Sequence, residues 1–214
     1  MKFAIILSGC GVYDGAEIHE STMTMLAVSR NGGSYTIFAP DVKQHHVVNH
    51  LTGKEMDESR NVLVEAARIA RGNIQSLDKY DINDFDALIL PGGFGVAKNL
   101  CTYAFDGPDC KVDKIVEKVI RDTHAAGKPI GALCISPVLI VKILGDVDVT
   151  IGEDETTASH IKALGGVHIP TGNREIVIDN KNRIVTNPCY MLDASIVDIA
   201  EGAENLVKAL MDMK

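Results

Sequence analysis

Short apolar runs that end in glycine- or proline-rich turns, each followed by helical periodicity, constrain this chain more than any other feature. Residues 2–7 (KFAIIL) are apolar and rich in strand formers, and a glycine-rich turn follows at 9–15. Residues 16–30 have helical character, and Asn31, Gly32 and Gly33 supply a left-handed stop. Residues 34–38 read as a second strand closed by Ala39, Pro40 and Asp41. Residues 87–90 read as a central strand that runs into Pro91, Gly92 and Gly93. Val62, Leu63, Ala66, Ala67 and Ala70 mark one side of a helix over 58–71. Val112, Ile115, Val116, Val119 and Ile120 repeat at helical spacing until Gly127 and Pro129 end the pattern. Residues 130–133 form the next apolar run, with a short helix at 137–144. Strands are expected at 148–151, 176–178 and 184–186, and an amphipathic helix runs from Ile196 to Leu210. This alternation predicts a mostly parallel sheet with helices on both faces, with ligands received at the carboxyl ends of the strands.

A length of 214 residues suits one domain over 1–214 with a small insertion. Residues 41–57, polar and rich in histidine, read as that insertion, in the form of a small hairpin. With 46% hydrophobic and 23% charged residues the chain is ordinary for a folded domain. Its net charge of −8 carries no basic footprint for nucleic acid, and no apolar run approaches a membrane span. LSGC, at 7–10, looks like a lipoprotein cleavage site, but the apolar stretch before it is too short for a signal peptide and reads as a buried strand. The five cysteines (Cys10, Cys101, Cys110, Cys134 and Cys189) are odd in number and form no CxxC pair. That excludes zinc-ribbon and thioredoxin-type readings and suggests a reducing compartment, taken as the cytoplasm.

Three motifs bear on chemistry. GALCISP, at 131–137, joins a strand directly to a helix, which places Cys134 on a tight turn of the nucleophile-elbow kind. Pro137 suits a first helical turn, and free N–H groups there face the sulfur. Such a setting lowers a thiol pKa from about 8.5 into the range of roughly 3.5–7.5. A buried structural cysteine is the competing reading. LPGGFG, at 90–95, lets the backbone approach a ligand, and its N–H groups could hold an oxyanion beside the sulfur. SGCGVYDGAEIHE, at 8–20, begins like a dinucleotide fingerprint, but Asp14 stands where the third glycine belongs, so that reading fails. Glu17 falls in the first turn of the next helix, at the same sheet edge as Cys134. It serves there as a proton carrier for the thiol or simply complements the helix dipole. His46 and His50 stand four apart, but their segment lacks a helical pattern and a third ligand motif, so it reads as a polar loop with no metal site.

Taken together, GCGVYDGAEIHE, HLTGKEM, LPGGFGVAKNL, GALCISP and NPCYML resemble the ElbB subgroup of the ThiJ/PfpI superfamily, the isoprenoid (lycopene) biosynthesis proteins with an amidotransferase-like domain. The resemblance runs over nearly the whole chain. It implies a flavodoxin-like, class I glutamine amidotransferase-like three-layer sandwich with Cys134 on the elbow. It also implies Glu17 as the acidic partner, Gly92 and Gly93 as the glycine pair, and Ile135 as an oxyanion donor. Members of this type have been assigned a glutathione-independent glyoxalase activity.

Departures narrow the chemistry. Protease-like members carry histidine directly after the cysteine, where this chain has Ile135. The loop from Thr150 to Asp154 lacks the histidine of the related deglycase. Peptidase and glutaminase activities, which need that base, are not expected. What remains is a Cys134–Glu17 dyad that converts glyoxal or methylglyoxal to a 2-hydroxy acid without metal or organic cofactor. The alternative is a redox-sensing or regulatory binding protein using the same cysteine, with Cys10 as a resolving thiol. The expected partner is a small aldehyde, with no nucleic acid or membrane. Superfamily habit implies a homo-oligomer, most simply a dimer.

Overall fold

The computed structural model describes residues 1–213. Strand β1 (Lys2–Ile6) leads into helix α1 (Ile18–Arg30) and strand β2 (Ser34–Ala39). Two short strands, β3 (Val48–Asn49) and β4 (Lys54–Glu55), pair antiparallel as a hairpin within residues 41–57. Helix α2 (Val62–Ile69), strand β5 (Gln75–Ser76) and strand β6 (Ala87–Leu90) follow. Beyond β6 come the short helix α3 (Tyr103–Asp106), helix α4 (Lys114–Ala125), strand β7 (Ile130–Leu133) and helix α5 (Ser136–Leu144). The remainder comprises β8 (Asp148–Val149), α6 (Glu155–Ala163), β9 (Val167–His168), β10 (Val177–Asp179), β11 (Ile184–Asn187) and α7 (Ile196–Asp212).

The main sheet has seven strands in the order β10-β11-β7-β6-β1-β2-β5. All neighbours are parallel except the β10–β11 pair. Parallel strands connected by helices bury both faces, which is why their sequences are continuously apolar rather than alternating. Successive β1 side chains serve opposite layers: Phe3 and Ile5 pack with α1, α2 and α7, whereas Ala4 and Ile6 pack with α4 and α5. The alternation is borne out as a mostly parallel sheet covered by helices on both faces, and the whole is the flavodoxin-like, amidotransferase-like three-layer sandwich that the family resemblance implies.

Local chemistry sets the element boundaries. Helix α2 starts at Val62 rather than at 58, because the Asn61 side chain accepts the Val64 N–H and caps it. The Asp113 carboxylate accepts from Ile115 and Val116 at the start of α4, and Ser195 with Asp198 forms a capping box on α7. The strand expected at 148–151 shortens to Asp148–Val149 and pairs with β9 in a separate two-stranded ribbon. Edge strand β5 has one exposed and one half-buried polar residue and no apolar period, so the sequence offered nothing to find it by.

The two core layers meet at the central strands. Leu88, fully buried on β6, packs into the α4–α5 layer. Leu88→Ala is expected to lower the unfolding free energy by about 2–5 kcal/mol, read as a fall in the urea midpoint at unchanged slope.

Candidate active site

The carboxyl ends of β6, β7 and β11 converge on Cys134. Cys134 has φ +59°, the left-handed region that a non-glycine residue occupies only under constraint. The constraints are visible. Its N–H donates to Asn187 O at 2.9 Å, and the adjacent Ser136 hydroxyl donates to Pro91 O at 2.9 Å. With the turn pinned to both neighbouring strands, the sulfur stands at the start of α5. The N–H groups of Gly93 and Ile135 both hydrogen-bond to it.

The carboxyl that reaches the sulfur is Glu20, not Glu17. Glu20 is fully buried and hydrogen-bonds to the Cys134 thiol. Its Oε2 accepts the Gly92 N–H at 2.9 Å and its Oε1 accepts the Tyr190 N–H at 3.3 Å. Glu17 is the N-cap of α1: its Oε2 accepts the Glu20 N–H at 2.7 Å, and its own N–H donates to Gly92 O at 2.9 Å. The two acids lie three residues apart, so they share a helix face. The cap turns the side chain of Glu17 back onto the helix end, while the next turn aims Glu20 inward. No local pattern in the sequence separates these roles.

The glycine pair also divides its work. The Gly92 N–H is taken up by Glu20, which removes Gly92 from the oxyanion donors. What Gly92 supplies is space, since a Cβ there would stand 2.3 Å from Cys134 Cβ and 2.8 Å from its Sγ. Gly93 has φ +100°, and a Cβ on it would lie 2.4 Å from the Glu17 N. That conformation turns its N–H toward the sulfur.

Burial governs the electrostatics. Desolvation, reinforced by the nearby Glu17 carboxylate, pushes the Glu20 carboxyl up to about 8, so at neutral pH it is largely protonated. Desolvation and the Glu20 carboxylate also push the Cys134 thiol up, against the pull of the Gly93 and Ile135 N–H groups. This corrects the expectation of a depressed thiol pKa: an elbow lowers it only where solvent or cations help, and here the sulfur is 7% exposed beside an acid. When Glu20 is protonated its Coulombic push on the sulfur vanishes, and its proton is available to the thiolate.

Cys10 lies elsewhere. It is half-buried among Asp14, Arg60, Glu65 and Arg68, and it is not part of the cavity wall at Cys134. The thiol that shares the Cys134 environment is Cys189, fully buried and donating to Asn187 Oδ1 at 3.1 Å. Asn187 thus holds both cysteines, through its carbonyl and its side chain, a role the sequence reading did not assign.

A cavity of about 330 Å³ opens onto Cys134, Gly93 and Ile135. Its wall is mainly apolar, built from Val12, Phe94, Ala97, Ala104 and Met191, with Tyr103, Tyr190, Thr157 and Asp154 as the polar groups. Asp154 caps α6, and hydrogen bonds from Thr157 hold its carboxyl below the usual carboxylate range. Neither Lys nor Arg is among the residues of this wall. Two histidines that looked isolated in sequence stand behind the tyrosines: His160 Nδ1 is 2.8 Å from Tyr103 Oη, and His19 Nδ1 is 2.8 Å from Tyr190 Oη. The β3–β4 insertion braces the rim. Val48 N–H donates to Asp14 Oδ2 at 2.7 Å, and Tyr13 N–H donates to His50 Nε2 at 3.2 Å. His45 packs its ring 4.2 Å from that of Phe105. Among the described residues there is no cluster of His, Cys, Asp and Glu with the geometry to hold a metal.

A mostly parallel sheet with a strained cysteine elbow, two converging N–H groups and an acid from α1 defines the class I glutamine amidotransferase-like type of α/β protein. No family model matches the chain. The human "glutamine amidotransferase-like class 1 domain-containing protein 3, mitochondrial" is 47% identical over 222 residues, covering 99% of this chain and 83% of its own. The rat "ES1 protein homolog, mitochondrial" is 46% identical over 222 residues, covering 99% and 84%. A solved isoprenoid biosynthesis protein with amidotransferase-like domain, from Ehrlichia chaffeensis, superposes with a TM-score of 0.92 at 36% identity over 99% of both chains. The chain belongs to this ES1/ElbB-type family of proteins with a class I glutamine amidotransferase-like domain. More remote structures share the fold alone, among them glyoxalase III from Candida albicans (TM-score 0.62, 16% identity, 98% of this chain and 97% of that one). The curated relatives are named mitochondrial, which overturns the cytoplasmic expectation. Free thiols mark a reducing environment and carry no address, so the sequence argument could not separate the two compartments.

The raised Glu20 pKa has a thermodynamic consequence. Between its ordinary value of 4.5 and about 8 the folded state binds more protons than the unfolded chain. Stability contributed by the neutral carboxyl is therefore complete below about 4.5 and lost as pH rises through about 8. Glu20→Gln, which is neutral throughout, is expected to flatten this decline. Urea unfolding of both proteins across that range checks it, with the variant gaining on the parent as pH rises.

Proposed function

We propose that this protein is a cofactor-free, glyoxalase-type enzyme acting on small dicarbonyl aldehydes, with Cys134 as nucleophile and Glu20, in place of Glu17, as its proton carrier. The observation that carries the reading is the Cys134–Glu20 hydrogen bond at the floor of the cavity, with the Gly93 and Ile135 N–H groups on the same sulfur. Glu20 in its ionised form takes the Cys134 S–H proton as the sulfur adds to the aldehyde carbonyl. The new oxyanion is held by the Gly93 and Ile135 N–H groups and takes that proton back, which returns Glu20 to the carboxylate. Glu20 then moves a proton from the former aldehyde carbon to the neighbouring one through an enediol, leaving a thioester. Water cleaves the thioester, frees the thiol and releases the 2-hydroxy acid. A neutral aldehyde suits a wall whose charged group is Asp154 and which holds no Lys or Arg. The cavity lies at the lower end of the usual ligand-pocket range of about 300–1,000 Å³.

A second reading, a redox-responsive binding protein, is favoured by one observation: Cys189 lies in the same buried environment as Cys134. It corrects the resolving thiol from Cys10 to Cys189.

Turnover of methylglyoxal, followed as formation of lactate, separates the two readings. Cys134→Ala is expected to abolish it, and Glu20→Gln to lower it by about 10²–10⁴-fold. Glu17→Ala, by contrast, is expected to cost about 0.5–2 kcal/mol of stability through the lost cap while keeping most of the turnover. Lactate formation that survives in Cys134→Ala would overturn the enzymatic reading.

A further inference from the structure

A second pair of thiols lies outside this site. Cys101 and Val112 face each other across an antiparallel bridge. The bridge is closed on both sides, by Thr102 N–H to Lys111 O at 2.9 Å and Asp113 N–H to Leu100 O at 2.9 Å. Cys110 precedes Val112 by two residues, which puts it on the same side of the bridge as Cys101. The Cys101 thiol donates to Val96 O at 3.3 Å, and its sulfur lies close enough to that of Cys110 for the two to interact. Lys142 donates to Pro108 O at 2.8 Å, and its ammonium group lies close enough to act on both sulfurs. The residues between the two cysteines form α3 and the turn after it, so the pair closes the base of the segment that carries Tyr103 and Ala104 of the cavity wall.

We propose that Cys101 and Cys110 are an oxidation site that forms an intramolecular disulfide with peroxide and clamps the α3 wall of the cavity. The geometry supports it in two ways. Cys110 stands diagonal to Cys101 on one side of the bridge, and the two sulfurs interact directly, so a disulfide can form without either side chain changing sides. Both residues are buried but not completely (5% and 3% exposed), whereas Cys189 has no exposure, so a molecule as small as peroxide has the shorter path to this pair. The division of labour follows from the contact. The neighbouring Cys101 sulfur, helped by the Lys142 ammonium, lowers the Cys110 thiol to about 7, and the reciprocal interaction pushes Cys101 up. Cys110 is therefore the attacking thiolate.

The reaction balances. The Cys110 thiolate attacks one peroxide oxygen, forming S–O as O–O breaks, and the departing hydroxide takes a proton to become water. The Cys101 sulfur then attacks the sulfenic sulfur, forming S–S as S–O breaks. The second water leaves with the Cys101 proton. Two thiols are oxidised and one peroxide is reduced to two waters.

The test uses no aldehyde and so stands apart from the catalytic reading. The full chain carrying Cys134→Ser is treated with hydrogen peroxide, its remaining thiols are alkylated under denaturing conditions, and the digest is mapped by mass spectrometry. The expected product is a peptide pair joined through Cys101 and Cys110, lighter by two hydrogens than the two thiols, with Cys10 and Cys189 alkylated. Its formation rate should rise as pH passes through about 7. In Cys101→Ser, Cys110 should instead stop at sulfenic or sulfinic acid, with the fold checked by circular dichroism. Recovery of Cys101 and Cys110 both alkylated, or of Cys110 over-oxidised while Cys101 is still present, would overturn the proposal.

Discussion

The hydrogen bonds of the Glu20 carboxyl join helix α1 to the ends of three strands. One oxygen accepts from Gly92 beyond β6, the other accepts from Tyr190 beyond β11, and the group also meets the Cys134 thiol beyond β7. A carboxyl with no exposure would be costly as an unpaired charge. Its environment resolves that cost by keeping it protonated near neutral pH and by saturating its oxygens with backbone donors. The same bonds that make its burial tolerable place its proton at the sulfur, so structural and chemical roles coincide in one group.

The elbow is the complement of that arrangement. A left-handed cysteine is held by the bond from its own N–H to Asn187 O and by the bond from the Ser136 hydroxyl to Pro91 O, and a glycine at 92 leaves room for its side chain. Each bond crosses between strands that are remote in sequence. The strain is therefore sustained by the assembled sheet rather than by the turn itself. Asn187 extends the arrangement by holding Cys189 beside Cys134, so the sheet edge presents two buried thiols and one acid within a single apolar environment.

The cavity above them is shaped by segments that share no element with the sheet: the β1–α1 loop, α3, the start of α6 and the turn after β11. Two of its walls end in tyrosines backed by histidines. His19 and His160 thus orient phenol groups at the cavity rather than pairing with the cysteine. The Cys101–Cys110 pair lies under the same α3 wall, which links the state of these thiols to the shape of the site.

Much of the architecture was legible in the sequence because burial on both sheet faces writes continuous apolar strands, and helices write a 3.6-residue period. The runs at 2–7, 87–90 and 130–133 and the elbow after the last of them are statements of local chemistry, and they reappear as β1, β6, β7 and Cys134. What failed were distinctions that local chemistry does not encode. Glu17 and Glu20 are equivalent by type and by helical face, and only docking of α1 against the sheet turns one into a cap and sends the other to the sulfur. Both Cys10 and Cys189 are remote from Cys134 along the chain, and strand order rather than sequence separation decides which is near. The direction of the thiol pKa followed the same logic. The sequence determined that a cysteine would sit on a strand–helix turn facing free N–H groups. The tertiary structure alone decided how deeply it is buried and which acid lies beside it, because desolvation and Coulomb terms depend on what packs around a group rather than on what precedes it in the chain.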